Sequence, residues 1–171
     1  MTELNYDHSA NLSDQLCFDL YTAARAIARA YGPHLAGVGL TYPQYLVMTA
    51  LWEHAPRTVK DLGRTLDLDS GTLSPLLKRL EAAGLLTRRR RADDERTVEI
   101  APTPRGRGLM REAAGVPRAM ATAMGISAQE ARRMRGLLGK LIASVGRNHD
   151  DPASRALRAA AGAESAPRAA S

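Results

Sequence analysis

Apolar residues recur every three or four positions over most of the chain. From about Asn11 to Tyr31 the positions Leu16, Leu20, Ala23, Ala24, Ile27 and Ala30 keep that spacing, which predicts an amphipathic helix stopped by Gly32-Pro33. Thr41-Tyr42-Pro43-Gln44 joins capping-box spacing to an early proline and predicts a second helix to about His54. After a short break at Ala55-Pro56-Arg57, Thr58-Val59-Lys60-Asp61 opens a third, short helix through about Leu66. Asp69-Ser70 caps a fourth, whose stripe Leu73, Leu76, Leu77 and Leu80 ends at Gly84, with Pro75 tolerated in or near its first turn. The period then changes. Leu85 to Arg91 reads as a basic strand, Ala92-Asp93-Asp94-Glu95 as a polar turn, and Arg96-Thr97-Val98-Glu99-Ile100 as the return strand of a hairpin. Thr103-Pro104 caps a fifth helix reaching the region of Met124. Ser127-Ala128-Gln129-Glu130 opens a sixth, with Met134, Leu137, Leu138, Leu141, Ile142 and Val145.

Two short helices joined by a tight turn from Leu66 to Asp69 form a helix-turn-helix, and a basic hairpin directly after it makes a winged helix. The expected fold class is therefore mainly α with a small β-hairpin wing. Residues from about 43 to 102 form a DNA-binding unit. The flanking helices, about 11–40 and 103–147, have no place in that unit's own core and are expected to form a dimerisation module, so the domain spans 11–147. The tail 148–171, with nine alanines and few large apolar groups, is expected to be disordered or transiently helical.

Composition agrees with this picture. The 171 residues suit one domain, 44% are apolar, and aromatics supply only 4%, so the core must be built from closely packed Ala, Leu and Ile. No run approaches the ~18 apolar residues of a membrane span. The stretch MTELNYDHSANLSDQ lacks the basic start of a signal peptide, so a cytoplasmic protein with no membrane partner is expected. The net charge of +6 is uneven: residues 57–111 carry thirteen Lys/Arg against eight Asp/Glu, whereas residues 1–56 carry two against five. A basic middle suits a polyanion.

In such a unit the start of the recognition helix faces base edges in the major groove. Here that start presents Asp69, Ser70, Thr72 and Ser74, followed one turn later by Lys78 and Arg79 at phosphate-contacting positions. Arg90, within the run Arg88–Arg91, and Arg96 would place guanidinium groups at the wing, within reach of the minor groove. Asp93-Asp94-Glu95 reads as a device that orients Arg96 rather than as a metal site. One winged unit reads few base pairs, so a homodimer on a pseudo-palindromic double-stranded DNA operator is expected.

The sole cysteine, Cys17, lies in the first helix on a narrow face with Tyr21, Ala24, Ala28 and Tyr31. A free cysteine is ordinarily a small buried hydrophobe. Against that reading, the position is near a helix start, where the dipole favours a thiolate, and Tyr42 and Tyr45 open the next helix. The histidines (His8, His34, His54 and His149) are scattered. There is no HExxH, no paired ligand spacing and no glycine-rich phosphate loop, so neither an enzyme, a cofactor nor a metal is expected.

Taken together, Leu16-Cys17-Phe18-Asp19-Leu20-Tyr21, Thr41-Tyr42-Pro43-Gln44-Tyr45-Leu46, Leu51-Trp52-Glu53-His54 and the stretch Leu68 to Arg79, with Asp94-Glu95-Arg96 as a D-x-R wing signature, resemble the multiple-antibiotic-resistance regulator (MarR) family. Within it they resemble the organic hydroperoxide resistance regulator (OhrR) branch, and the span from about 11 to 147 is covered. The resemblance implies a dimeric repressor whose reactive cysteine matches Cys17. It matches the thiol-contacting tyrosines to Tyr31 and Tyr42 of the other subunit, with Tyr21 nearby on the same helix, and includes Asp94 in the wing. It also implies that an organic hydroperoxide oxidises the thiolate to a sulfenic acid and so releases DNA. With no second cysteine the chain falls in the one-cysteine type, and the sulfenic acid must condense with a low-molecular-weight thiol, form a sulfenamide or overoxidise. Two other readings stay open. One is a repressor released by a bound phenolic or aromatic ligand, with Cys17 only lining the pocket. The other, disfavoured by the missing resolving thiol, is a thiol peroxidase.

Overall fold

The computed structural model describes residues 11–91 and 97–149. After a 3-10 turn at Leu12–Asp14 come α1 (Leu16–Ala36), α2 (Tyr42–Glu53), β1 (Arg57–Thr58), α3 (Val59–Leu66), α4 (Ser70–Ala82), β2 (Leu86–Arg90), β3 (Val98–Pro102), α5 (Pro104–Glu112), a second 3-10 turn (Ala113–Gly115), α6 (Val116–Met124) and α7 (Ala128–His149). The chain divides after Met124 into two units. In the first, Leu35, Val47, Met48, Leu51, Leu62, Leu73, Leu77, Leu80, Leu86, Ile100 and Met120 are fully buried, and α1 packs on α2 and α6. In the second, α7 is opened by a reciprocal capping box. Ser127 N–H donates to Glu130 Oε2 at 2.8 Å, and Glu130 N–H donates to Ser127 Oγ at 3.2 Å. Met134, Leu137, Ile142 and Val145 leave α7 an exposed apolar stripe.

The caps predicted for the DNA-binding unit are present. Thr41 and Gln44 close a capping box on α2, Thr58 caps α3, and Thr103 caps α5 with Pro104 at its first position. The helix-turn-helix turn is set by Asp67, which ends α3 in the left-handed region (φ 52°), a conformation that Asp tolerates better than most side chains. The wing is a three-stranded antiparallel sheet in the order β1-β3-β2, with Arg88 opposite Ile100 and Arg90 opposite Val98.

Four expectations need correction. Gly32-Pro33 does not stop α1, which continues to Ala36 with Pro33 inside its last turn. The extra turn buries Leu35 completely, worth about 1.5–3 kcal/mol, which offsets the roughly 3 kcal/mol cost of a helical proline. The fifth helix is two helices. Pro117 cannot donate to Ala113 O, so the chain tightens into a 3-10 turn before α6 begins. The break at Ala55-Pro56-Arg57 runs into a strand: Arg57 and Thr58 pair with Ile100 and Glu99, too short a segment to show a period-two pattern. The return strand, described from Val98, does not end at Ile100 but reaches Pro102, because it runs on until Thr103 turns the chain into α5. The turn 92–96, including Asp94 and Arg96, and the tail from 150 lie outside the described residues.

Candidate DNA-reading surface and thiol face

Asp69 holds the start of α4 through both carboxylate oxygens. Oδ1 accepts from Thr72 N–H and Oδ2 from the Thr72 hydroxyl, each at 2.9 Å. These bonds, the backbone N–H foremost, hold the Asp69 carboxyl below the usual carboxylate range. Asp69 and Thr72 are therefore committed first to each other. Ser70, Lys78 and Arg79 are exposed, and Ser74 is half-buried. Two cations that sequence reading missed lie beside them. Lys60 and Arg64 of α3, one turn apart, line a surface cavity of about 640 Å³ together with Asp67, Asp69 and Ser70. Their signal was an i, i+4 basic pair on the helix preceding the turn.

Two predictions follow from this geometry. Lys78→Ala and Arg79→Ala are each expected to weaken binding alike on all DNA sequences and to reduce the slope of log affinity against log salt by about 1; binding isotherms across a salt series check this. The Asp69 cap carries a pH signature. Because its folded pKa is lowered, its contribution is fully present above the free carboxylate range and is lost as pH falls through that range towards the folded value. Urea unfolding at neutral and acid pH should show Asp69→Asn, which still caps but cannot titrate, losing less stability on acidification than the natural chain.

The four arginines of the run Arg88–Arg91 divide. Arg88 is turned inward, its Nε 3.2 Å from Glu81 Oε2 on α4, so it braces the wing against the recognition helix. Arg91 Nε lies 3.6 Å from Glu99 Oε1 across the hairpin. Arg89 and Arg90 are exposed, and Arg90 stands nearest the wing tip on β2.

Cys17 is exposed as the second residue of α1, which corrects the ordinary expectation of a buried thiol. The redox set named from sequence is not gathered within one chain. The Tyr21 hydroxyl accepts from Arg25 Nη1 at 2.6 Å, and the Arg25 guanidinium lies 5.4 Å from the Tyr21 ring centroid. Tyr31 sits fourteen residues beyond Cys17, about 21 Å along the axis at 1.5 Å per residue. It stacks on Tyr42 with ring centroids 4.2 Å apart and planes at 23°. Burial, reinforced by the neighbouring phenols, raises the pKa of both Tyr31 and Tyr42, so both remain neutral O–H donors at physiological pH. Among the described residues there is no group of His, Cys, Asp and Glu that could hold a metal ion, and no helix is long and apolar enough to cross a membrane.

The chain is similar to several known proteins. Residues 40–98 match the model of the MarR family. Over 139 residues the chain is 44% identical to the organic hydroperoxide resistance transcriptional regulator of Bacillus subtilis (strain 168), an alignment covering 81% of this chain and 92% of the relative. Among solved structures, reduced AbfR bound to DNA is 37% identical with a TM-score of 0.66, covering 78% of this chain and 94% of that one. Disulfide-formed AbfR is 40% identical with a TM-score of 0.56, covering 77% and 92%. AbfR is a protein of Staphylococcus epidermidis.

Proposed function

The chain belongs to the MarR family of transcriptional regulators, and from that premise we propose that it is a homodimeric, DNA-binding repressor whose hold on DNA is gated by oxidation of Cys17. The observation that carries the redox reading is the separation on α1. The exposed thiol stands at one end and the Tyr31–Tyr42 donor pair at the other, about 21 Å away. Two copies related by a two-fold axis, with their first helices antiparallel, bring each Cys17 to the other copy's pair. The exposed apolar stripe of α7, including Leu137 and Ile142, gives such a dimer surface to bury.

The chemistry needs only a thiolate and an organic hydroperoxide. The Cys17 sulfur attacks the terminal peroxide oxygen, an S–O bond forms as the O–O bond breaks, and the alcohol leaves after taking a proton. Sulfur loses two electrons and the peroxide gains them. Phenolic O–H groups donating to the thiolate stabilise it before attack. Once sulfur carries an oxygen, those bonds must rearrange, which biases the helices that set the spacing of the two recognition helices. Among similar structures AbfR has been solved reduced on DNA, overoxidised on DNA and in a disulfide form, so a relative of this fold takes up several thiol oxidation states. In this chain the sulfenic acid meets no second cysteine, so a low-molecular-weight thiol is the partner proposed for it. DNA contact falls to Ser70, Thr72, Ser74, Lys78, Arg79 and Arg90, with Asp69 shaping the helix start, and to Asp94 and Arg96 of the wing turn. The compartment is the cytoplasm, where chromosomal operators are.

The test is fluorescence anisotropy with DNA from upstream of its own gene, at fixed salt, during titration with one equivalent of an organic hydroperoxide. Release that a dithiol reductant reverses is the expected result. Binding that ignores peroxide but yields reversibly to phenolic compounds would replace this reading with the ligand-released repressor.

A further inference from the structure

We propose that Trp52 is the positioning residue that carries the change at the Tyr31–Tyr42 pair to the recognition helix, an inference that rests on the redox reading above. An unbroken line of contacts joins the two. Tyr31 stacks on Tyr42 and also lies 5.8 Å from the buried Tyr45, and Tyr45 meets Trp52 edge-on at 6.2 Å. Trp52 Nε1 then donates to Gly106 O on α5 at 2.8 Å, fifty-four residues away in sequence. From there the line is short and directional. Gly106 N–H donates to Thr103 Oγ1 at 3.0 Å, and the same hydroxyl donates to Gly84 O at 2.7 Å, just past the end of α4. Thr103 N–H closes a further bond to Leu85 O at 3.0 Å.

The packing leaves this line little slack. A Cβ on Gly106 would fall 2.0 Å from Leu85 O, so α5 already lies against the backbone leaving the recognition helix. Close-packed interiors transmit displacement rather than absorbing it. The other large side chains of α2 that face the core, Val47, Met48 and Leu51, offer no hydrogen bond. Among the described residues of α2, Trp52 joins an aromatic contact on the thiol side to a hydrogen bond on the DNA side. A shift of the tyrosine pair therefore moves the indole, the indole moves Gly106, and the end of α4 turns with α5.

The chain holds a single tryptophan, so Trp52 reports on itself. The experiment compares the natural dimer with Trp52→Phe, which keeps a ring against Tyr45 and removes the N–H. Three quantities are followed: Cys17 oxidation by thiol titration, DNA affinity before and after one equivalent of organic hydroperoxide, and, in the natural protein without DNA, indole emission. Both proteins should lose the thiol at the same rate and bind DNA equally when reduced. Oxidation should shift the natural protein's emission and cut its affinity about tenfold or more, while Trp52→Phe loses about threefold or less. Emission that stays fixed while the natural protein releases DNA would overturn the relay, as would normal release by Trp52→Phe. Should Trp52→Phe not fold, the natural protein's emission decides alone. If Cys17 is oxidised and the natural protein keeps its DNA, the sensor reading falls and the relay with it, a result distinct from failure of the relay alone.

Discussion

Cys17→Ser is expected to bind operator DNA like the natural chain and to ignore organic hydroperoxide at doses that release the natural chain about tenfold or more. The serine hydroxyl is nearly isosteric with the thiol and still accepts hydrogen bonds, so the reduced arrangement survives. Cys17 is exposed at the first turn of α1 and supports no part of the core, so folding has no stake in the sulfur. Serine has no sulfur lone pair at an accessible redox level, and the chain offers no second cysteine to react in its place. Anisotropy titrations of both proteins, with the oxidised mass of each recorded, check the result. Peroxide release by Cys17→Ser would remove the thiol from the mechanism altogether.

Most of the fold is written in short-range signals. Thr41/Gln44, Thr58, Asp69, Thr103 and Ser127/Glu130 each announce a helix start, and each is seen satisfying the backbone it precedes. What escaped the sequence is what depends on the far side of a contact. Pro33 looks like a terminator until Leu35 is seen buried beyond it. Arg57-Thr58 becomes a strand only because Ile100 and Glu99 lie alongside. The candidate site divides in the same way. The recognition-helix residues follow from the cap at Asp69, which is local. The division of the wing arginines, with Arg88 held to Glu81 while Arg89 and Arg90 face outward, is tertiary and has no mark in a run of four identical residues. The thiol face reads as one set on a helical wheel, yet length along the axis separates Cys17 from Tyr31 by about 21 Å, and angular periodicity carries no such information.

Gly106 and Gly108 give the sharpest contrast between a sequence and its packing. Both sit in Pro104-Arg105-Gly106-Arg107-Gly108, Gly106 in the first turn of α5 and Gly108 in its middle, and by helix propensity alone either should gain up to about 1 kcal/mol on becoming alanine. Gly108→Ala is expected to show that gain, because its Cβ would meet nothing within 4 Å. Gly106→Ala is expected to lose about 3 kcal/mol instead, and roughly 6–12 °C in Tm. Its Cβ would stand 2.0 Å from Leu85 O and 3.2 Å from Met48 Cε, and the first of these is backbone with no rotamer to yield. Relief requires α5 to back away, which strains the Thr103 bonds to Gly84 and Leu85 and the Trp52 bond to Gly106 together. DNA affinity of the reduced protein should therefore fall in Gly106→Ala even at temperatures where it is folded, while Gly108→Ala binds normally. Thermal melts and binding isotherms of the two variants, side by side, check this. Equal stability for both would mean that α5 does not rest on the end of the recognition helix, and the route from Trp52 to DNA would lose its last step.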